Sequence, residues 1–292
     1  MAYTLTSHQY GKAENHIVRI YRDTPRHEIR DLTVTTAMRG AFDDAYLTGD
    51  QSKVLPTDSQ KNTAFVYAKQ HGGGTVEEYG VALAKHFVDD VEPIHGARVD
   101  VVVDDWERVV VDGEEHDHTW VRRGPENRTV TVTVDGKGAG DGEPQTVRVG
   151  GGIRDLVILK STGSEFHDFL TDGFTTLEET KDRILATAID ATWEFATAPA
   201  DWDAAYAAVR AAVVGTFATL HSLALQQTLW HIGGAVLDAV PEVASISLSA
   251  PNKHHFLYDF SRYDLEPGVE NAGEVFHAAD RPYGLIEATV TR

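Results

Sequence analysis

Arg183 and Phe166 are the first pair in this chain whose types could hold a flat anion. A guanidinium offers a planar fork to two acceptors at once, a geometry that an ammonium cannot match. Phe166 follows the apolar run Val157-Ile158-Leu159, which ends in Lys160, and the polar stretch Ser161-Thr162-Gly163-Ser164. That pattern reads as a strand and a turn that present the ring beyond the strand end, where a flat ligand could stack. Each residue has a plainer reading beside it. Phe166 could be core, and Arg183 could make exposed ion pairs with Glu178, Glu179 and Asp182, which contribute little.

Further polar side chains stand at positions where they could move protons or hold a ligand edge. Thr57 and Asp58 follow Pro56 at an expected helix start, with Thr57 as N-cap and Gln60 three residues on. A cap there contributes about 1 kcal/mol, and the free N–H groups of the same turn can bind a ligand oxygen or anionic nitrogen. Lys12 follows Tyr10-Gly11 just before the first strand; an isolated lysine is usually a solvated charge, although partial desolvation can turn one into a proton acceptor. In Pro251-Asn252-Lys253-His254-His255-Phe256, neighbouring histidines on a strand point to opposite faces, so one of the two can serve a given site. Gln226 and Gln227 lie at the entry to a helix, where a glutamine is ordinarily a surface residue or cap. No metal site is expected: His254 has no third ligand at suitable spacing, and His116-Asp117-His118 reads as a solvated turn on an acidic hairpin. Gly150-Gly151-Gly152 lacks the strand-to-helix context of a phosphate loop.

The chain of 292 residues is long enough for two domains. No apolar run approaches the ~18 residues of a membrane span, and Met1-Ala2-Tyr3 does not open a secretory signal, so a soluble protein is expected. The absence of cysteine removes disulfides, thiolate metal centres and thiol nucleophiles. A formal charge of -19 opposes nucleic acid and anionic membranes as partners, and an anionic substrate must be held by local cations.

Alternating patterns at 15–22 and 32–39 predict an opening hairpin, followed by helices from Thr57 to the glycines at 72–74 and over 76–89. Strands are expected at 97–111, 116–123 and 128–134, with a Gly-rich linker at 136–142. The second half repeats the order: strands at 145–160 and 183–195, helices at 202–221 and 227–239, then strands at 244–248, 254–260 and 285–290. A doubled pattern of this kind implies an α+β fold of two modules, 1–140 and 141–292, each an antiparallel sheet with helices on one face.

The run from Val157 to Phe169 with its spacing to Phe174, Leu177 and Arg183 resembles the signature segment of urate oxidases. Thr57-Asp58-Ser59, Tyr10-Gly11-Lys12, Leu225-Gln226 and Asn252-Lys253-His254 are similar to further motifs of that family. The resemblance implies tandem tunnelling-fold (T-fold) modules, a barrel-like homotetramer with sites at subunit interfaces, and cofactor-free oxidation of urate by dioxygen to 5-hydroxyisourate and hydrogen peroxide. By the same resemblance, Lys12, Thr57 and His254 form a proton relay, and Arg183 and Gln226 grip opposite edges of the purine. Phe166 stacks on its face, Leu225, Thr57 and Asp58 contact substrate, and Asn252 holds dioxygen or water above the ring. His255 departs from the aromatic residue expected there. The C-terminus lacks a Ser-Lys-Leu tripeptide, which favours the cytoplasm. Two rivals are a pterin-handling enzyme of the same fold and a purine-binding relative without turnover; the missing zinc ligands argue against the first, and the intact trio Lys12, Thr57 and His254 against the second.

Overall fold

The computed structural model describes residues 3–137, 144–263 and 269–292, apart from the side chain of residue 280. The chain divides into two compact units, one of residues up to 152 together with 193–204, the other of 153–192 with 205–292. From residue 138 on, the expected linker lies outside the described residues.

In the first unit, β1 (Tyr10–Tyr21) and β2 (Glu28–Gly40) form the antiparallel hairpin, and a short α1 (Asp43–Leu47) leads to α2 (Thr57–Gln70) and α3 (Val76–Asp90). β3 (Ile94–Asp104) pairs with β2 on one side and β6 (Asn127–Asp135) on the other, and the start of β7 (Thr146–Lys160) follows β6. The threonine–valine alternation of β6 sorts as its period demands: Val130, Val132 and Val134 are buried, while Thr131 faces solvent. α3 begins with a reciprocal capping box between Thr75 and Glu78. Its apolar face, with Tyr79, Leu83 and Phe87 fully buried, packs with Ala64 and Ala68 of α2 over the valines of the sheet. Tyr79 donates its hydroxyl to the Ala64 carbonyl at 3.0 Å, which fixes one helix to the other.

The expected strand over 97–111 is two strands. β3 stops at Asp104, and β4 (Trp106–Val111) turns away to pair with β5 (Glu114–Arg122) in a separate two-stranded sheet. Asp112 and Gly113, with φ of 54° and 87°, supply the left-handed residues that a tight hairpin requires. His116, Asp117 and His118 therefore lie on strand β5 rather than in a solvated turn, the two imidazoles edge to face at 4.5 Å. Arg128 is clasped by Glu77 at 2.7 Å and Asp203 at 2.6 Å. The flat face of Gly151 receives the Trp193 indole so closely that a Cβ there would lie 2.5 Å from it.

The second unit takes the rest of β7, β8 (Leu185–Phe195) up to residue 192, α4 (Trp202–Thr219) from residue 205, α5 (Leu225–Ala239), β9 (Val243–Leu257) and β10 (Phe276–Thr291), with strand order β7-β8-β9-β10. On α4 the buried stripe is Ala205, Val209, Val213 and Phe217, one helical turn apart each time. On α5 it is Leu229, Ile232, Gly233 and Val236, with Gly233 against the Val290 side chain of β10. The strands expected at 244–248 and 254–260 are one strand, β9, which runs unbroken through Pro251. Pro251 pairs with Leu285 just before a register shift between Gly284 and Ala279, where the missing N–H of proline is tolerated.

Candidate active site

Short backbone bridges after β7 build the centre of the second unit's polar cluster. Phe166 exchanges hydrogen bonds with Thr180 at 2.8 and 2.9 Å, and the Arg183 N–H donates to the Ser164 carbonyl at 2.9 Å. These bridges set the Arg183 guanidinium carbon 5.0 Å from the centroid of the Phe166 ring. Phe166 does have an aromatic partner, Phe169, stacked at 5.0 Å and 19°, which the sequence reading did not provide. The ion pairs weighed for Arg183 do not form among the described residues. Glu179 accepts instead from the Asp168 N–H, and Asp182 from the Thr162 hydroxyl and the Gly163 N–H. Arg183 Nε is buried without an acceptor, and burial pushes the guanidinium pKa below its usual value. A desolvated cation with no carboxylate beside it is a site for an incoming anion.

His254 on β9 belongs to the same cluster. Its pKa is lowered first by burial and then by the charge of Arg183, both of which disfavour the protonated imidazole. It stacks on Phe256 at 5.6 Å. His255 points elsewhere and donates from Nδ1 to the Lys253 carbonyl at 3.0 Å. The Asn252 amide, half-buried two residues before His254, makes no hydrogen bond among the described residues.

The two glutamines separate cleanly at the start of α5. Gln227 folds back so that its Oε1 accepts from the Leu223 N–H at 2.9 Å, which ties the residue before the cap position to the first turn. Gln226 is exposed and its amide is uncommitted among the described residues. Leu225, at the first position of α5, is only 2% exposed.

The first unit holds Lys12, Thr57 and Asp58. Thr57 is the first helical residue of α2 rather than its cap: Pro56 occupies the cap position and no side chain caps the helix. Gln60, expected to complete a capping box, turns inward instead. It is fully buried, accepts from the Thr36 hydroxyl at 2.9 Å and donates to the Leu55 carbonyl at 3.3 Å. Thr36 Oγ1 in turn accepts from the Lys12 N–H at 3.3 Å, so a buried polar chain registers the start of α2 against Lys12. Thr57 and Asp58 are exposed, and the Asp58 carboxyl is held below the usual carboxylate range by Lys61 first, with a smaller contribution from Lys12. The Thr57 hydroxyl is therefore presented, not consumed, by the helix start.

None of these residues forms a metal-ligand set. Among the described residues the one group with suitable spacing is His16, Asp31 and Asp104. Its oxygens already accept from His16, Trp106, Arg122 and Asn127.

The family model for Uricase matches residues 8–133 and 149–287. This chain belongs to the uricase family. Uricase from Arthrobacter globiformis is 46% identical over 288 residues, which cover 99% of this chain and 90% of that protein. Uricase from Dictyostelium discoideum is 38% identical, with 99% and 98% covered. A crystal structure of the Arthrobacter globiformis uricase superposes with a TM-score of 0.91 over 100% of this chain and 96% of that one, at 45% identity. The α+β fold of this uricase-family member is thus the T-fold, with antiparallel sheets backed by helices. Among the described residues, no helix is long and apolar enough to cross a membrane.

Proposed function

We propose that this member of the uricase family works as a urate oxidase, taking urate, dioxygen and water to 5-hydroxyisourate and hydrogen peroxide. The observation that carries the assignment is Arg183, a partly desolvated cation without a carboxylate, set over Phe166 and close enough to His254 to disfavour its protonation. A planar purine anion supplies what that arrangement lacks: two acceptors for the guanidinium fork and a π-face for the ring. Gln226 reads the opposite edge of the purine, with Leu225 beside it. Binding in this way orients the ring before any chemistry takes place.

Lys12, Thr57 and His254 then serve as the proton relay. They draw N–H protons from urate to give an electron-rich dianion that reduces dioxygen directly, with no metal or flavin called on. Asn252 holds dioxygen, and afterwards the attacking water, above the ring. Thr57 and Asp58 are contributed by a neighbouring copy in a homotetramer. Leu170 and Phe174, at 97% and 93% exposure, are apolar side chains that a second copy would cover.

The test follows urate absorbance and peroxide with purified, metal-stripped protein. Stoichiometric loss of urate and gain of peroxide is expected, and activity that depends on added metal or flavin would overturn the cofactor-free mechanism. Sedimentation should give a tetramer, and a monomer at full specific activity would overturn the shared site.

A further inference from the structure

Glu165 lies next to the stacking phenylalanine, yet both of its oxygens are committed elsewhere. One accepts from His221 Nε2 at 2.5 Å, beyond the end of α4, and the other from His167 Nε2 at 2.7 Å, on its own segment. A parallel bridge between Ser164 and Ser222 joins the same two stretches through two backbone hydrogen bonds, the Glu165 N–H to the Ser222 carbonyl at 2.7 Å and the Ser222 N–H to the Gly163 carbonyl at 2.9 Å. The Lys160 ammonium adds a third bond from its side chain, donating to the Leu220 carbonyl at 2.6 Å. The connection then continues inward, where the buried Ser222 hydroxyl meets that of Thr228 at 2.7 Å, and Thr228 lies on α5 two residues past Gln226.

We propose that Glu165 is a positioning residue that fixes the start of α5, and with it Gln226, against the segment carrying Phe166. The inference rests on the assignment of Gln226, Phe166 and Arg183 to the purine. Glu165 touches no substrate; it sets the separation between the two jaws that do. One carboxylate bridging two imidazoles is suited to this, because each charge-assisted bond has a preferred direction and the pair together allows one placement of the loop. The mutual shifts agree with the geometry: the Glu165 carboxyl is lowered by His221 first and His167 second, and the His167 imidazole is raised by Asp168 first and Glu165 second. Three further charged groups near these residues are engaged with backbone and hydroxyl partners. Asp182 holds Thr162 and Gly163, Glu179 holds the Asp168 N–H, and Lys160 holds Leu220.

The experiment compares Glu165→Ala, Glu165→Gln, His221→Ala and the Glu165→Ala/His221→Ala pair with the wild type. It measures urate KM and kcat in air, the Kd of urate under nitrogen, and the midpoint of thermal unfolding. Both alanine variants should raise KM and the anaerobic Kd about tenfold while kcat stays within about twofold, since a displaced amide weakens the grip without removing the relay. The pair should add little to either single change, because both remove one linkage. Glu165→Gln keeps an acceptor for one histidine and should fall between. Unchanged KM and Kd in both alanine variants, or a loss of kcat that tracks thermal stability with KM unmoved, would overturn the proposal. Wild-type protein that neither binds nor consumes urate would instead sink the assignment beneath it.

Discussion

Replacing Arg183 by methionine should separate binding from stability, and the two effects should run in opposite directions. The guanidinium is desolvated, its Nε has no acceptor, and burial lowers its pKa, so in the unliganded protein the cation is held at a cost to the fold. Methionine has similar length and fills the space over Phe166 without a charge. Thermal unfolding without ligand should therefore show a midpoint equal to or above the wild type. Urate, however, loses two charge-assisted hydrogen bonds of about 1.5–3 kcal/mol each, which weakens binding by about 10²–10⁴-fold. Arg183→Lys keeps a charge and one such bond, and should weaken binding by about 10–10²-fold. Arg128 provides the contrast: its partner Glu77 is 3% exposed, and Arg128→Met strands that carboxylate at a cost of about 3–5 kcal/mol. Anaerobic calorimetry with urate and unfolding scans on all three variants make the comparison. If Arg183→Met bound urate within about threefold of the wild type, or lost as much stability as Arg128→Met, the reading of Arg183 as an anion anchor would be refuted.

The glutamine pair gives a second check: Gln226→Ala should raise urate KM with no loss of stability, whereas Gln227→Ala should leave KM alone and remove about 1 kcal/mol of local hydrogen bonding. An inverted result by kinetics and denaturant unfolding would reassign the pair. His254 should titrate below 6.5 by NMR, and because its folded pKa is depressed, its contribution to stability is present above 6.5 and lost as pH falls through the folded value. In Arg183→Met its midpoint should rise toward 6.5 yet stay below it, since burial is the larger cause; a midpoint that did not move would show that the guanidinium has no influence there. Gly151→Ala places a methyl 2.5 Å from the Trp193 indole and should cost about 1–3 kcal/mol by overpacking, measured as a lower denaturant midpoint.

Much of the architecture could be read from hydrophobic period alone, because β6, α3 and α5 each bury one clean face. The errors arose where a local signal was stronger than the long-range one. Pro251 suggests a break between strands at 244–248 and 254–260, yet the pairing of β9 with β10 carries the ladder through it. Residues 97–111 are uniformly strand-like, and nothing in that run announces that the chain changes sheets at Asp105. Gln60 matched a capping box, but a buried hydroxyl on Thr36 outcompeted the helix end for its amide. At the candidate site, residue types and motif spacing brought out Arg183, Phe166 and His254. The roles of Glu165 and His221 were hidden because the loop–strand bridge that joins them spans 56 residues. The isolation of Arg183 was equally invisible, since three acidic neighbours in sequence predict pairing and only the fold shows two of them turned to backbone groups.

β9 also constrains how this molecule can change over time. The strand is anchored at one end by Ile246, Leu248 and Ala250, all interior, while Asn252 and His254 continue the same alternate-residue count. The pleat keeps those two functional groups on a common side, about 7 Å apart. Point replacements along this stretch keep that spacing, but inserting or deleting one residue between Ala250 and Asn252 would rotate both groups to the reverse side at once. Like notches cut on a ruler, their markings can be repainted, and their spacing cannot be stretched.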